Sequence, residues 1–351
     1  MRVVCRQRGM RRNGEQITMN PSPLFIVGVG RSGSSVFHRL MCRHPRAAWL
    51  SRVLEHWPNA APINRVVMHA LALPGVGHSV SRMIDPGECY EYWEQLAPGF
   101  ARACRDLVAA DVQNDVLAQV RRALAQVPTK RRPQLVAKVT GWPRIGFLRE
   151  IFPNAKFIHV VRDGRAVAAS LLKVDWWQGW RGPSGWLFGE LTAEHMAEWH
   201  RHDRSFVALA GIQWKILMDA MERARQSVPT SCMVEIEYED LCRDPLSHFR
   251  RVAEFAELEW VPEFERAIRS AELRSENEKW RRYFTPSQQS ILESVLRSHL
   301  VRYGYEPQMT REPVEAGATH MQMIDEAEHG AATAVSDLPP PDVAVMVGRK
   351  S

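Results

Sequence analysis

No run in this 351-residue chain is long and apolar enough to cross a bilayer. The longest stretch without a formal charge spans residues 66–81, and Pro74, Gly75 and Gly77 break it; a spanning helix needs about 20 apolar residues. The six cysteines have no C-x-x-C pair, and no Cys/His group has zinc-site spacing. Reduced core thiols in a cytoplasmic protein are the expectation. The basic side of the charge balance is also thin outside one segment. Residues 1–20 carry Arg2, Arg6, Arg8, Arg11 and Arg12 against Glu15, so about +2 of the net +6 is left for the rest. A basic tail therefore accounts for most of the excess, and a nucleic-acid partner is not expected. That tail has no apolar h-region, so it does not read as a secretory signal. It reads as a disordered extension, with later candidate starts at Met10 and Met19.

What is present is ordinary for a globular protein: 45% hydrophobic and 25% charged residues. A disordered chain, a collagen and a coiled coil are excluded. The length suits one large domain or two small ones and needs no disulfide or metal staple. Residues 24–27 form a short apolar run that predicts a buried parallel strand. A glycine-rich turn follows, then a helix from Ser34 that ends at His44-Pro45. Further strands are predicted at 135–139, 156–161 and 233–237. Helices are predicted at 143–152, from Arg165 to about Lys173, at 190–202 and at 205–226. Another begins near Pro245, and two more stretches reach about Tyr303. Residues 60–132 read as mainly helical, with an amphipathic stretch over 111–127. Strands alternating with helices predict an α/β fold, a three-layer domain with a central parallel sheet flanked by helices. One domain is expected over 21–309, with a disordered tail over 310–351 that contains Pro339-Pro340-Pro341.

The first turn reads Gly28-Val29-Gly30-Arg31-Ser32-Gly33-Ser34-Ser35. It fits the dinucleotide fingerprint G-x-G-x-x-G. It also fits the Walker A frame, with Ser34 where that frame has Lys. Both templates work alike: converging backbone N–H groups and a helix N-terminus attract an anion, above all phosphate. Without the Walker Lys, ordinary ATP or GTP hydrolysis is disfavoured, and Arg31 is the cation within the loop.

A second segment, 157–170, places Arg162 at the carboxyl end of a predicted strand and Ser170 about two helical turns later. The two converge on a further phosphate, or else Arg162 pairs with a carboxylate and Ser170 faces solvent.

Taken together, the two segments resemble the sulfotransferase superfamily. Residues 25–35 look like its 5′-phosphosulfate loop, and Val161-Arg162-Asp163-Gly164-Arg165 through Ser170 like its 3′-phosphate element. Ala137-Lys138-Val139-Thr140, Tyr238-Glu239-Asp240-Leu241 with Asp244-Pro245, and Lys279-Trp280 follow in the family's order. The resemblance covers about residues 23–305, and the loop is most similar to the bacterial and tyrosylprotein types, which use R-S-G-[ST]-[ST]. It implies a P-loop-like fold and the donor 3′-phosphoadenosine 5′-phosphosulfate (PAPS), with 3′-phosphoadenosine 5′-phosphate (PAP) as product and no metal. It implies that Arg31, Ser32, Gly33, Ser34 and Ser35 hold the 5′-phosphosulfate and that Arg162 and Ser170 hold the 3′-phosphate. Tyr238, Lys279 and, as a looser match, Ser275 would clamp the nucleotide. Where the tyrosylprotein type has a further Arg after the Ser, this chain has Val174, next to Lys173. Lys138 matches the cation that stabilises the leaving phosphate, with Arg31 assisting. Glu55 is the candidate base, on a segment where bacterial and tyrosylprotein members carry a Glu, and His56 is its rival.

Six of the twelve tryptophans, Trp176, Trp177, Trp180, Trp186, Trp199 and Trp214, fall close together, and glycines punctuate the same stretch. Residues 174–200 read as an acceptor-side loop, or as a loop pinned by tryptophans packed into the core. The acceptor is expected to be a small molecule, a glycan or a lipid, and a second copy of the chain is a candidate partner. A P-loop small-molecule kinase, a Rossmann oxidoreductase and a catalytically silent nucleotide-binding protein are the competing classes.

Overall fold

The structure, a computed structural model, describes residues 21–306 apart from 102–103 and 187. The expected basic extension and the acidic, proline-bearing tail lie outside the described residues. Five strands form one parallel sheet: β1 (Leu24–Gly28), β2 (Ala47–Ala48), β3 (Gln134–Thr140), β4 (Lys156–Val161) and β5 (Met233–Glu237). Their spatial order is β2-β3-β1-β4-β5. All-parallel sheets are covered on both faces, so their strands read as continuous apolar runs. β1 is buried along its whole length. The four predicted strands are present. The two-residue edge strand β2 is an addition, too short for any periodicity to announce.

The α/β architecture is the expected one. Helix α1 (Ser34–Met41) stops earlier than the His44-Pro45 breaker: Cys42 N–H donates to the His38 carbonyl, and the next two N–H groups, of Arg43 and His44, already tighten onto the Leu40 and Met41 carbonyls. Between β2 and β3 the described residues form the short helix Val53–His56 and four longer ones, Ala61–Leu71, Gly77–Met83, Tyr90–Leu96 and Asn114–Ala125. The last of these is the predicted amphipathic stretch, trimmed at both ends. After β5 the sequence reads one helix from Pro245, but a helix at Tyr238–Arg243 precedes it. Three helices rather than two complete the described chain.

One large apolar cluster packs around β1, β3 and β4 with the helices before β3. A second joins Gly164–Leu171, Phe206–Gln226 and Pro286–Arg302. Register then decides what meets at the carboxyl end of the sheet. Ile26 pairs with Lys138 and Gly28 with Thr140, while β4 ends on the other side of β1, immediately before Arg162. Ligands of open α/β sheets bind at that edge.

Candidate active site

The chain leaves β1 through the glycine-rich turn and enters α1 at Ser34. Two residues of this loop have left-handed backbone. Gly33 has φ +90°, and a Cβ there would lie 2.2 Å from the Tyr238 ring, so only glycine fits. Arg31 has φ +74°, a conformation that costs a non-glycine residue about 1–2 kcal/mol and persists where the surroundings enforce it. Its guanidinium is used at once: Arg31 Nε donates to Ser170 Oγ at 2.9 Å.

Arg162, at the end of β4, completes this side. Its Nη1 donates to the Arg31 carbonyl at 3.2 Å and its Nε to Asn277 Oδ1 at 2.8 Å. The guanidinium stacks 4.5 Å from the centroid of the Tyr238 ring. Among the described residues it has no carboxylate partner. Arg165, one turn on, is the opposite case. It is buried, with Asp163 at 2.7 Å and Glu293 at 2.5 Å. In the Arg-Asp-Gly-Arg segment, then, the second arginine is the structural ion pair and the first has its charge uncompensated.

Tyr238 is buried with its ring against Gly33 and Arg162, its hydroxyl donating to the Arg274 carbonyl at 3.4 Å. Burial and its contact with Cys242 push the phenol up to about 12, so it stays neutral. Ser275 is exposed and accepts from the Asn277 N–H at 3.4 Å, which ties it to the Arg162 partner. Lys279 is exposed and paired with Glu276 at 2.5 Å. Asn277 was not read from the sequence. It holds Arg162 and is itself held by Glu239, and a lone Asn in a polar loop carries no signal of that role.

The other side of β1 carries Lys138. Its Nζ donates to Ser35 Oγ at 2.6 Å and lies 2.8 Å from Glu88 Oε1. Glu88 was also missed, since it falls within residues 60–132, which read only as mainly helical. Its Oε2 accepts from Thr140 Oγ1 at 2.6 Å. Glu55 lies in the short helix Val53–His56, with Oε2 accepting from Arg52 and Oε1 from the backbone N–H of Glu88, both at 3.1 Å. His56 is exposed, its ring edge-on to Trp57.

Within the loop, Ser32 is buried and its Oγ has no hydrogen-bond partner among the described residues. A buried hydroxyl without a partner is costly, and one in a phosphate-loop frame fits a donor waiting for an anion. The site therefore has cations on both sides of β1: Lys138 toward Ser35, and Arg31 with Arg162 toward Ser170. This arrangement suits a ligand with two separate anionic groups.

Residues 23–262, most of the chain, match the sequence profile of the sulfotransferase family. The chain belongs to the sulfotransferase family. Omega-hydroxy-beta-dihydromenaquinone-9 sulfotransferase Stf3 of Mycobacterium bovis is 25% identical, over 69% of this chain and 64% of that protein. Protein-tyrosine sulfotransferase A of Caenorhabditis elegans is 24% identical, over 68% of this chain and 50% of that protein. The chain thus spans between half and just under two thirds of the length of these relatives. The solved structure of sulfotransferase STF9 from Mycobacterium avium has a TM-score of 0.49 at 19% identity, covering 81% of this chain and 77% of that one.

The six tryptophans of the Trp-rich stretch differ in burial; Trp199 is half-buried, its indole N–H on the Ser205 carbonyl at 3.1 Å. Trp177, Trp186 and Trp214 are buried, the first with its indole N–H on Gln213 Oε1 at 2.6 Å and the second on the Gly189 carbonyl at 2.6 Å. Trp176 and Trp180 are about half exposed. Trp176 reaches the phosphate loop, with its ring edge 3.8 Å from where a Gly30 Cβ would stand. No helix among the described residues is long and apolar enough to cross a membrane.

Proposed function

We propose that this protein transfers a sulfuryl group from PAPS to a hydroxyl, less readily to an amine, of a small-molecule, glycan or lipid acceptor in the cytoplasm. The observation that carries the reading is the pair of cationic sites flanking β1, each built on the phosphate loop. PAPS carries anionic groups at both ends of its ribose, as that spacing of sites requires. Two relatives whose names specify a hydroxylated menaquinone and protein tyrosine support a hydroxyl acceptor.

In this reading the loop residues Arg31, Ser32, Gly33, Ser34 and Ser35 hold the 5′-phosphosulfate, with Ser32 Oγ gaining its missing partner. Arg162 and Ser170 hold the 3′-phosphate. Tyr238, Ser275 and Lys279 border the nucleotide. As the acceptor oxygen attacks sulfur, charge grows on the bridging oxygen of the leaving phosphate. Lys138, which donates to Ser35 of the loop, stabilises that charge with Arg31 of the same loop assisting, and such a preorganised cation is worth several kcal/mol. The acceptor proton passes to a carboxylate of the connected Glu55–Glu88 pair. Trp176 and Trp180 offer flat apolar surface to the acceptor.

Ligand-dependent unfolding tests this directly. PAP without magnesium should stabilise the protein, by about 2.7 kcal/mol at 100 times Kd, and ATP-Mg and NAD should do so far less. Equal stabilisation by ATP-Mg would favour the kinase reading, and by NAD the oxidoreductase.

A further inference from the structure

Glu55 and Glu88 are not equivalent. Glu88 touches Lys138, and Lys138 touches Ser35 of the phosphate loop. Glu55 stands one link farther away: its Oε1 accepts from the backbone N–H of Glu88 and its Oε2 from Arg52 on its own segment. A Cβ on Gly87 would lie 2.5 Å from Glu55 Oε1, so the carboxylate packs directly on that turn. The turn is pinned elsewhere too: Gly87 N–H donates to the Leu50 carbonyl at 2.8 Å, Arg52 N–H to the Asp85 carbonyl at 2.9 Å, and Cys89 Sγ to the Ser51 carbonyl at 3.3 Å.

We propose that Glu88 is the group that takes the acceptor's proton and that Glu55 is a positioning residue for it. This rests on the sulfuryl-transfer reading above. Before donor binds, Lys138 divides its hydrogen bonds between Ser35 and Glu88. Burial pushes the Glu88 carboxyl up, but the Lys138 ammonium and the hydrogen bonds from Lys138 and Thr140 outweigh it and hold it below its usual range. A carboxylate held in that way is a weak base. A donor anion on the loop competes for Lys138. Once Lys138 turns to it, Glu88 loses its counter-ion and its basicity rises. The base is thereby armed only when donor is present.

The transfer step then balances. The acceptor O–H gives its proton to a Glu88 oxygen as the acceptor oxygen bonds to sulfur. The bond between sulfur and the bridging phosphate oxygen breaks, and its electron pair stays on PAP, where Lys138 donates a hydrogen bond and keeps its own proton. Glu88, with 22% of its side chain exposed, returns the proton to solvent.

The first test needs no acceptor. PAP binding near pH 5.5, followed calorimetrically in buffers of different ionisation enthalpy, should take up more protons in the natural protein than in Glu88→Gln, with PAP affinity in the variant unchanged or tighter. Protonation of PAP's own phosphates is common to both and cancels. Equal uptake overturns the proposal. With 2-naphthol, or the best of a panel of phenols, glycosides and lipid alcohols, kcat should fall roughly 100-fold or more in Glu88→Gln. The acid limb of kcat/KM for the acceptor, at saturating PAPS, should disappear with it. Glu88→Asp should retain that limb. Glu55→Gln should lose only about tenfold and also retain it. Thr140→Val removes a hydrogen bond from the carboxylate and should move the limb to higher pH, a readout that does not require Glu88→Gln to fold. Turnover within threefold of normal in Glu88→Gln, or a limb lost in Glu55→Gln and kept in Glu88→Gln, refutes the assignment and leaves sulfuryl transfer standing. A natural protein that binds no PAP refutes both.

Discussion

Arg162→Ala and Arg165→Ala, three positions apart, should fail in opposite ways. Arg162 is partly exposed and has only neutral partners: the Asn277 amide oxygen, the Arg31 carbonyl and the face of Tyr238. Losing two ordinary hydrogen bonds and one cation–π contact costs about 2–3 kcal/mol of stability. Its charge is free for a phosphate. Removing a charge-assisted hydrogen bond costs about 1.5–3 kcal/mol, so Arg162→Ala should weaken PAP binding roughly tenfold to 150-fold. Arg162→Lys should recover part of that loss, since it keeps the charge but not the planar fork. Arg165 is only 6% exposed and faces two carboxylates as deeply buried. Its removal takes the counter-charge from both and should cost about 3–5 kcal/mol of stability, while the protein that remains folded binds PAP nearly as before. Urea unfolding together with calorimetric titration of PAP separates the two effects. Normal PAP affinity in a folded Arg162→Ala protein would mean that the uncompensated guanidinium is not the 3′-phosphate site, and the residue-level reading of this half of the site would fall.

Three further outcomes are expected. Gly33→Ala puts a Cβ into the Tyr238 ring at a left-handed backbone position and should cost about 2 kcal/mol or more, along with PAP affinity; an unchanged urea midpoint would contradict the packing described. His38 is buried, and burial first and Lys138 second lower its pKa to about 3. Below about pH 6.5 the unfolded chain takes up a proton that the folded chain refuses, so the His38 contribution is full above that pH and is lost as pH falls toward 3, with a slope of at most about 1.4 kcal/mol per pH unit. His38→Gln should flatten the fall in stability between pH 6.5 and 4, and parallel curves would exclude the effect. Trp177→Phe strands the Gln213 side chain and should lower stability by about 1–3 kcal/mol, whereas Trp176→Ala and Trp180→Ala should leave stability nearly intact and raise the acceptor KM; steady-state kinetics over the acceptor panel distinguishes the two groups.

Much of the fold was legible because its strands are local facts. A parallel strand covered on both faces is a continuous apolar run; β1 shows one, β3 and β4 show one interrupted by Lys138 and His159, and the edge strand β5 alternates as Met-Val-Glu-Ile-Glu. The phosphate loop was legible because its glycines, hydroxyls and Arg31 are contiguous, and their physics is set by a turn of backbone before a helix. Lys138 and Arg162 stood out because each lies near the carboxyl end of a strand. The strand order was not legible, since the sequence lists strands in turn and does not say that β1 lies between β3 and β4. Only that order sets Lys138 and Arg162 on opposite sides of one loop. Nor could composition sort the arginines of Arg-Asp-Gly-Arg, because Arg165 meets Glu293 from a helix 128 residues away. The tryptophans divided on burial, which depends on what packs above each one. Glu55 stands alone in the sequence as a candidate carboxylate, but the tertiary structure lays it against the main chain of a second segment and puts that segment's own Glu88 on Lys138. A residue type and its local backbone fix which chemistry a side chain can perform; which partner it meets depends on contacts distant in sequence, and those belong to the folded chain alone.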